Sequence, residues 1–143
     1  MEPVDNYAVS AKRLSPSDGL DDFPTPPWAT RALFEHVIGP HNVQNEICWE
    51  PASNRGYMAR PLNEYFKHVM ESDIYDYGDR NVVDFLNTEI DRTNSTIHWV
   101  ITNPPFNKAQ QFIEKAQKVA IDGVRSEEHT SELQSHHDLV CRL

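Results

Sequence analysis

The sequence predicts an α/β protein whose parallel sheet ends after about the fourth strand. Short apolar runs alternate with helical segments along residues 21–124, a pattern typical of parallel sheets covered by helices. Polar and turn-forming residues follow these runs, at the strand ends where such sheets bind ligands. The 143 residues suffice for one small domain or for part of a larger one.

The first helix is predicted within FPTPPWATRALFEHVIGP, residues 23–40, after a polar segment over residues 1–20 that we expect to be mobile. Thr25 can cap the helix N-terminus, and Pro26 suits the first helical position. Gly39 and Pro40 should end the helix. Helical spacing predicts a buried face made of Trp28, Leu33, Phe34 and Val37.

The remaining elements follow in alternation. Ile47–Trp49 is predicted as a buried strand, and Tyr57–Phe66 as a helix that Pro61 interrupts. KHVMESDI is predicted as a strand, and NVVDFL as a strand or a helix. Ile97–Thr102 is the last complete predicted strand, and the helix after it has an apolar side made of Phe112, Ile113, Ala116, Val119 and Ala120.

The segment Arg125–Leu143 has neither helical nor strand periodicity. Written back as codons, Arg125–Gln134 fits AGA TCG GAA GAG CAC ACG TCT GAA CTC CAG, which resembles a common sequencing adapter. Leu139–Leu143 similarly fits the far end of that adapter. We therefore expect residues 125–143 to be a non-native tail and the native chain to continue past Val124. A sheet truncated there would leave Ile97–Thr102 as an exposed edge.

Composition and motifs exclude several classes of protein. No apolar run reaches membrane-spanning length, and the N-terminus lacks the apolar core of a signal peptide, so a cytoplasmic location is expected. Two cysteines are too few for a disulfide framework, and no histidine spacing predicts a metal site. GxGxxG and P-loop patterns are absent. The net charge of −9 argues against a basic nucleic-acid patch.

The segment Asn103–Phe106, NPPF, carries the most specific chemical signal. Its two prolines lack backbone N–H donors, so the preceding strand cannot continue through them. Asn103 precedes a proline and is therefore held extended. A rigid strand end with carbonyl acceptors, an amide and an aromatic ring suits a planar group that carries an amino donor.

Taken together, the strand-end motifs resemble the class I S-adenosylmethionine-dependent methyltransferases. EPASNRG followed by NPPF, with TPPWATRAL and MARPL, is similar to the phage and bacterial DNA adenine-N6 methyltransferases over Asp22–Ala120. The resemblance implies a Rossmann-like sheet, S-adenosylmethionine as cofactor, no metal, and a DNA partner bound through a recognition region beyond this chain. Ser53-Asn54 departs from the usual Cys-Gly, although Asn tolerates the left-handed backbone that this turn requires.

The resemblance also implies a role for each matching residue. Thr25 and Pro26 would lie near the methionine end of the cofactor, and Asp73 would accept from the ribose hydroxyls. Asp84 and Phe85 would contact the cofactor adenine, although this pair alone is better explained by packing. The first turn would be formed by Glu50, Pro51, Ala52 and Gly56, and the catalytic motif by Asn103, Pro104, Pro105 and Phe106.

Two further functional hypotheses remain open at the level of sequence. NPPF suits any planar amino-bearing group, so the substrate could be RNA or a protein glutamine amide. A remnant that binds cofactor or a partner and transfers nothing belongs to a different class. Binding of cofactor without transfer to any DNA would identify such a remnant.

Overall fold

A computed structural model describes residues 25–78, 81–126 and 140–142 of the chain. Within these ranges the sheet has six strands in the order β3-β2-β1-β4-β5-β6. The first five run parallel and the last is antiparallel to β5. They are β1 (Ile47–Glu50), β2 (His68–Asp73), β3 (Asn81–Val82), β4 (Trp99–Thr102), β5 (Gly123–Ser126) and β6 (Val140–Arg142).

Helices alternate with strands along the chain: one precedes β1, one lies between β1 and β2, and one lies between β4 and β5. They are α1 (Pro27–Leu33), which continues as a π-helical turn over Phe34–Ile38, α2 (Ala59–Leu62) and α3 (Ala109–Val119). Short 3₁₀ turns over Phe85–Asn87 and Phe106–Lys108 precede β4 and α3 respectively. NVVDFL, which allowed either a strand or a helix, contains β3 and the start of a 3₁₀ turn. None of the helices in the described ranges is long and apolar enough to cross a membrane.

Adjacent residues of the central strands point to opposite faces of the sheet and form two cores. Trp49 and Val100 pack with α3 on one face, whereas Cys48 and Ile101 pack with the other helices. This alternation follows from the two-residue period of a β-strand. Because both faces are covered, β1 and β4 are mostly apolar up to Glu50 and Thr102 at their ends, which is typical of parallel sheets.

Helix α1 is fixed to the sheet through the π-helical turn that follows it. Phe34 is fully buried, stacks on Tyr65 with ring centroids 4.3 Å apart and meets Phe66 edge-on. Arg31 also forms an exposed ion pair with Glu64, with Nη2 and Oε2 2.6 Å apart. These contacts set the position of the TPP segment, which immediately precedes α1.

Three details of the first helix differ from the predictions. Pro26 rather than Thr25 occupies the N-cap position, and no side chain caps the helix. Trp28 is 71% exposed and Val37 is 62% exposed, so neither belongs to the core. Their spacing is helical, but α1 buries only a narrow stripe that contains Thr30 and Phe34.

The sheet continues one parallel strand beyond the expected end. β5 pairs with β4 from Gly123 to Ser126, so β4 is an interior strand rather than the exposed edge that we expected. Arg125 takes part in this pairing, and its guanidinium lies 5.9 Å from the centroid of the Trp99 ring. Most of the expected adapter-derived tail, residues 127–139 and 143, lies outside the described residues, as does the N-terminal segment 1–20.

The β4–β5 pairing requires glycine at position 123. A Cβ atom there would lie 2.6 Å from Cζ3 and 2.9 Å from Cη2 of Trp99. These contacts are too short for a packed core, so one of the two residues would have to move. Trp99 is itself held by a 2.8 Å hydrogen bond from its Nε1 to Glu46.

We expect Gly123→Ala to lower the free energy of unfolding by roughly 1–3 kcal/mol through this overlap. Trp99→Phe removes the ring atoms involved, so the double variant should lose less stability than the sum of the single variants. Urea unfolding of the three variants measures this coupling. Strictly additive losses would show that the overlap is not the cause.

Candidate functional site

The strand order places a topological switch point between β1 and β4. The chain passes from β1 outward through β2 and β3 and then returns to the other side of β1 as β4. Connections on either side of such a switch point diverge, which leaves room for a ligand beyond the carboxyl ends of the strands. Glu50 ends β1, and Asn103 follows β4 directly, so both lie at this point.

Glu50 connects the ends of these two strands. Its Oε1 accepts a 2.9 Å hydrogen bond from the Ala52 N–H, and its Oε2 accepts a 3.1 Å bond from the Asn103 N–H. The side chain is 1% exposed. Burial raises the pKa of this carboxyl group to about 8, although the amide donors of Ala52 and Asn103 favour its ionised form. Sequence analysis placed Glu50 in the first turn, but it missed this link to Asn103.

Asp73, at the end of β2, organises the loops around it. Its Oδ2 accepts from the Asn54 N–H at 2.9 Å, and its Oδ1 accepts from the Tyr75 N–H at 3.0 Å. Each carboxylate oxygen can accept more than one hydrogen bond. The residue is buried, and the hydrogen bond that it accepts from Asn54 holds the first turn against β2.

The first turn, residues 50–56, has left-handed backbone angles of the kind that glycine adopts readily. Asn54 has a φ of 54° and Gly56 a φ of 88°, both in the left-handed region. The expected tolerance of Asn54 for a left-handed backbone agrees with this angle. Pro51 and Ala52 are buried, and Ala52 belongs to the core around α3.

Asn103 lies at the centre of the site and is contacted from two directions. Glu50 holds its main chain, and its Nδ2 donates a 3.1 Å hydrogen bond to Oγ1 of Thr25, 78 positions earlier in the chain. Thr25 is 6% exposed.

The aromatic residues of the predicted site occupy different environments. Phe106 is the last residue of NPPF, begins a 3₁₀ turn and is 49% exposed. Phe85 is 1% exposed, and its ring packs against Trp49 and Phe112 with centroids 5.0 and 5.2 Å away. It therefore serves the core, as the packing interpretation expected, while its neighbour Asp84 is exposed and accepts from the Asn87 side chain.

Pro104 and Pro105 shape the chain between β4 and this 3₁₀ turn. Pro104 is buried, whereas Pro105 is partly buried and its carbonyl accepts from the Lys108 N–H at 2.9 Å. Among the described residues, no group of three His, Cys, Asp or Glu side chains could hold a metal ion.

Two residues near the cofactor-type motifs were not predicted as site residues. Ser53 is buried in the first turn, and its Oγ has no hydrogen-bond partner among the described residues. Ile74 follows Asp73 and is 57% exposed, which is unusual for an apolar side chain at a strand end. The sequence signal that could have identified Ser53 and Ile74 is their position next to Asn54 and Asp73.

The raised pKa of Glu50 predicts a pH-dependent stability. The folded chain keeps this proton up to a pH of about 8, whereas an unfolded glutamate loses it near its ordinary value of 4.5. Between these values the unfolded state binds fewer protons, so the free energy of unfolding should fall as the pH rises. Urea unfolding from pH 5 to pH 8 measures this slope.

Glu50→Gln provides the matched comparison because glutamine has nearly the same shape and does not titrate. We expect a flatter pH dependence in this variant, together with a lower stability at every pH because its Nε2 cannot accept an amide hydrogen bond. If the wild type gained stability relative to this variant between pH 5 and pH 8, the assigned pKa direction would be incorrect.

Two solved structures share the fold of this chain. One, described as a putative RNA methyltransferase from Pyrococcus horikoshii, superposes with a TM-score of 0.56 at 18% identity, over 78% of this chain and 65% of that one. The other is described as a putative S-adenosyl-L-methionine-dependent methyltransferase from Methanococcus maripaludis. It superposes with a TM-score of 0.50 at 10% identity, over 76% of this chain and 58% of that one.

The chain thus spans about two thirds of the length of the first structure and less of the second. No protein-family model matches the sequence, and the search of curated proteins finds no match. At these identities the likeness concerns the fold alone. The chain therefore has the Rossmann-like α/β fold that it shares with these two proteins.

Proposed function

We propose that this chain is the cofactor-binding and NPPF-bearing part of an S-adenosylmethionine-dependent methyltransferase that acts on the N6 amino group of adenine in DNA. The observation that carries the proposal is the position of Asn103 beside Glu50 at the switch point between β1 and β4. Both the ligand-binding end of the sheet and the residues suited to an amino group meet there.

The residues of the first turn fit a cofactor of this kind. Ser53 supplies a buried hydroxyl without a partner among the described residues, and the left-handed angles at Asn54 and Gly56 bring the backbone close to the strand ends. Asp73 would accept from the ribose hydroxyls, as the family resemblance implies. When bound, the cofactor would supply an electrophilic methyl group on a positively charged sulfur.

The chain's own contribution would be to activate and orient the target nitrogen. An adenine amino group is a poor nucleophile because its lone pair is delocalised into the ring. Hydrogen bonds from this group to Asn103 Oδ1 and the Pro104 carbonyl would localise the lone pair on nitrogen. The nitrogen would then take the methyl group, the electron pair of the broken carbon–sulfur bond would stay on the leaving thioether, and one proton would pass from the nitrogen to solvent.

Two exposed aromatic side chains, close in sequence to Asn103 and to Thr25, would suit a planar substrate. Phe106 lies three residues after Asn103 and could stack on a base that has rotated out of the DNA duplex. This stacking would offset part of the free energy needed to flip the base. Trp28, on the first turn of α1, lies three residues after Thr25 and is also exposed. Stacking of this kind contributes on the order of 1–3 kcal/mol per base.

RNA is the main alternative substrate, because one of the structures that share the fold is described as a putative RNA methyltransferase. The two substrates are distinguished by a direct assay. Methyl-labelled cofactor is incubated with the chain and with matched DNA or RNA strands, and digestion to nucleosides then identifies the product. N6-methyladenine in DNA supports the proposal, whereas label only in RNA favours the alternative.

We expect Asn103→Ala to lower methyl transfer by at least about a hundredfold, because a positioned polar group of this kind contributes roughly 10²–10³ in rate. The affinity for the cofactor, measured by calorimetry, should stay within a few-fold of the wild type. Asn107→Ala removes an exposed amide of the same size four residues later and serves as the control.

If Asn103→Ala lost both cofactor binding and methyl transfer, the assignment of Asn103 as a catalytic residue would fail. Cofactor binding by the wild type without transfer to DNA, RNA or a glutamine-bearing protein would favour a non-catalytic remnant. In that case the cofactor assignment would stand and the transferase assignment would fail.

A further inference from the structure

The hydroxyl group of Thr25 is used by Asn103 and not by the helix that follows Thr25. The Asn103 Nδ2 lies 3.1 Å from Thr25 Oγ1. Helix α1 has Pro26 at its N-cap and receives no side-chain cap, so the usual reason for a threonine before a helix does not apply. Thr25 is also almost fully buried, so its hydroxyl lies within the protein and not at the surface.

The orientation of the Asn103 amide decides whether it can accept or only donate. Its oxygen and its NH₂ group have nearly the same size, so packing alone distinguishes them poorly. An incoming amino group needs the oxygen, because an NH₂ group would place donors against donors. In this structure the nitrogen end donates to Thr25 Oγ1, so the oxygen end of the amide is its acceptor end.

We propose that Thr25 is a positioning residue whose hydroxyl holds the nitrogen end of the Asn103 amide, so that the oxygen end meets the amino group of the substrate. The inference rests on the proposed function for the identity of that group. It replaces the cofactor contact that the family resemblance implies for Thr25 with a contact to the catalytic motif.

The segment around Thr25 is suited to this role because it is rigid. Thr25 precedes Pro26, which restricts it to an extended backbone, and Pro26 and Pro27 have fixed φ angles. Phe34 anchors the following helix in the core, and Glu50 holds the main chain of Asn103. Both partners of the hydrogen bond are therefore held by rigid surroundings, which limits the entropy lost on ordering the amide.

Two substitutions at position 25 test the role in methyl transfer. Thr25→Val keeps the shape and removes the hydroxyl, whereas Thr25→Ser keeps the hydroxyl and removes a methyl group. We expect Thr25→Val to lower kcat by about tenfold with an unchanged cofactor Kd, because one hydrogen bond in the reacting complex is lost. Thr25→Ser should recover most of the lost rate.

A merely structural role would give a different result. If Thr25 only filled space, Thr25→Val would retain the wild-type kcat and Thr25→Ser would be the weaker variant. If Thr25 contacted the cofactor, Thr25→Val would raise the cofactor Kd and leave kcat at saturating cofactor close to the wild type. Either pattern would overturn the proposal.

The side-chain NH₂ resonances of Asn103 give a readout that does not require activity. They are assigned in the ¹⁵N-labelled full chain from their loss in Asn103→Asp. Thr25→Val should shift them and speed their exchange with water, whereas Thr25→Ser should leave them close to the wild type. Unchanged resonances in Thr25→Val would overturn the proposal.

The two measurements separate this inference from the proposed function. If the wild type transfers no methyl group but the Asn103 resonances respond to Thr25→Val, the proposed function fails and the positioning contact stands. If the wild type transfers methyl groups, but neither kcat nor the Asn103 resonances change in Thr25→Val, the proposed function stands and Thr25 has no positioning role.

Discussion

The structure of the candidate site depends on one buried carboxyl group, that of Glu50. Glu50 accepts hydrogen bonds from the N–H groups of Ala52 and Asn103, and it thereby joins the first turn to the NPPF segment across the switch point. These donors are backbone groups at strand ends, where the ladder no longer satisfies them. An apolar side chain at this position would leave both amides unpaired in a buried environment, which is costly. The acid is therefore needed to bring the two motifs together, even before any ligand binds.

A second carboxylate supports the same arrangement one strand away. Asp73 receives the Asn54 and Tyr75 amides, so the first turn is held from β1 by Glu50 and from β2 by Asp73. The left-handed angle at Asn54 is tolerated within this frame. Burial is the main cause of the raised pKa of Glu50, and the nearby charge of Asp73 adds to it. The turn is thus organised by polar groups, while the apolar cores set the strands beneath it.

The contact between Thr25 and Asn103 extends this frame to a third element. Helix α1 is the first described helix and packs through Phe34 on the face opposite α3. Its leading residues nevertheless reach the end of β4, so the N-terminal TPP segment and the NPPF motif form one unit. This geometry gives the TPP motif a mechanical role in orienting an amide. It also explains how a buried threonine can precede a helix without capping it.

The sequence by itself determined the α/β class, the approximate strands and the strand-end positions of Glu50, Asp73 and Asn103. Apolar periodicity and turn residues are local signals, because each depends only on residues a few positions apart in the chain. Only the tertiary structure decided that Trp28 is exposed, that Phe85 packs in the core and that β5 covers β4. It also decided the partners of Thr25 and Glu50. Those contacts join residues 78 and 53 positions apart, and such pairings follow from strand order and helix packing, which no local pattern specifies.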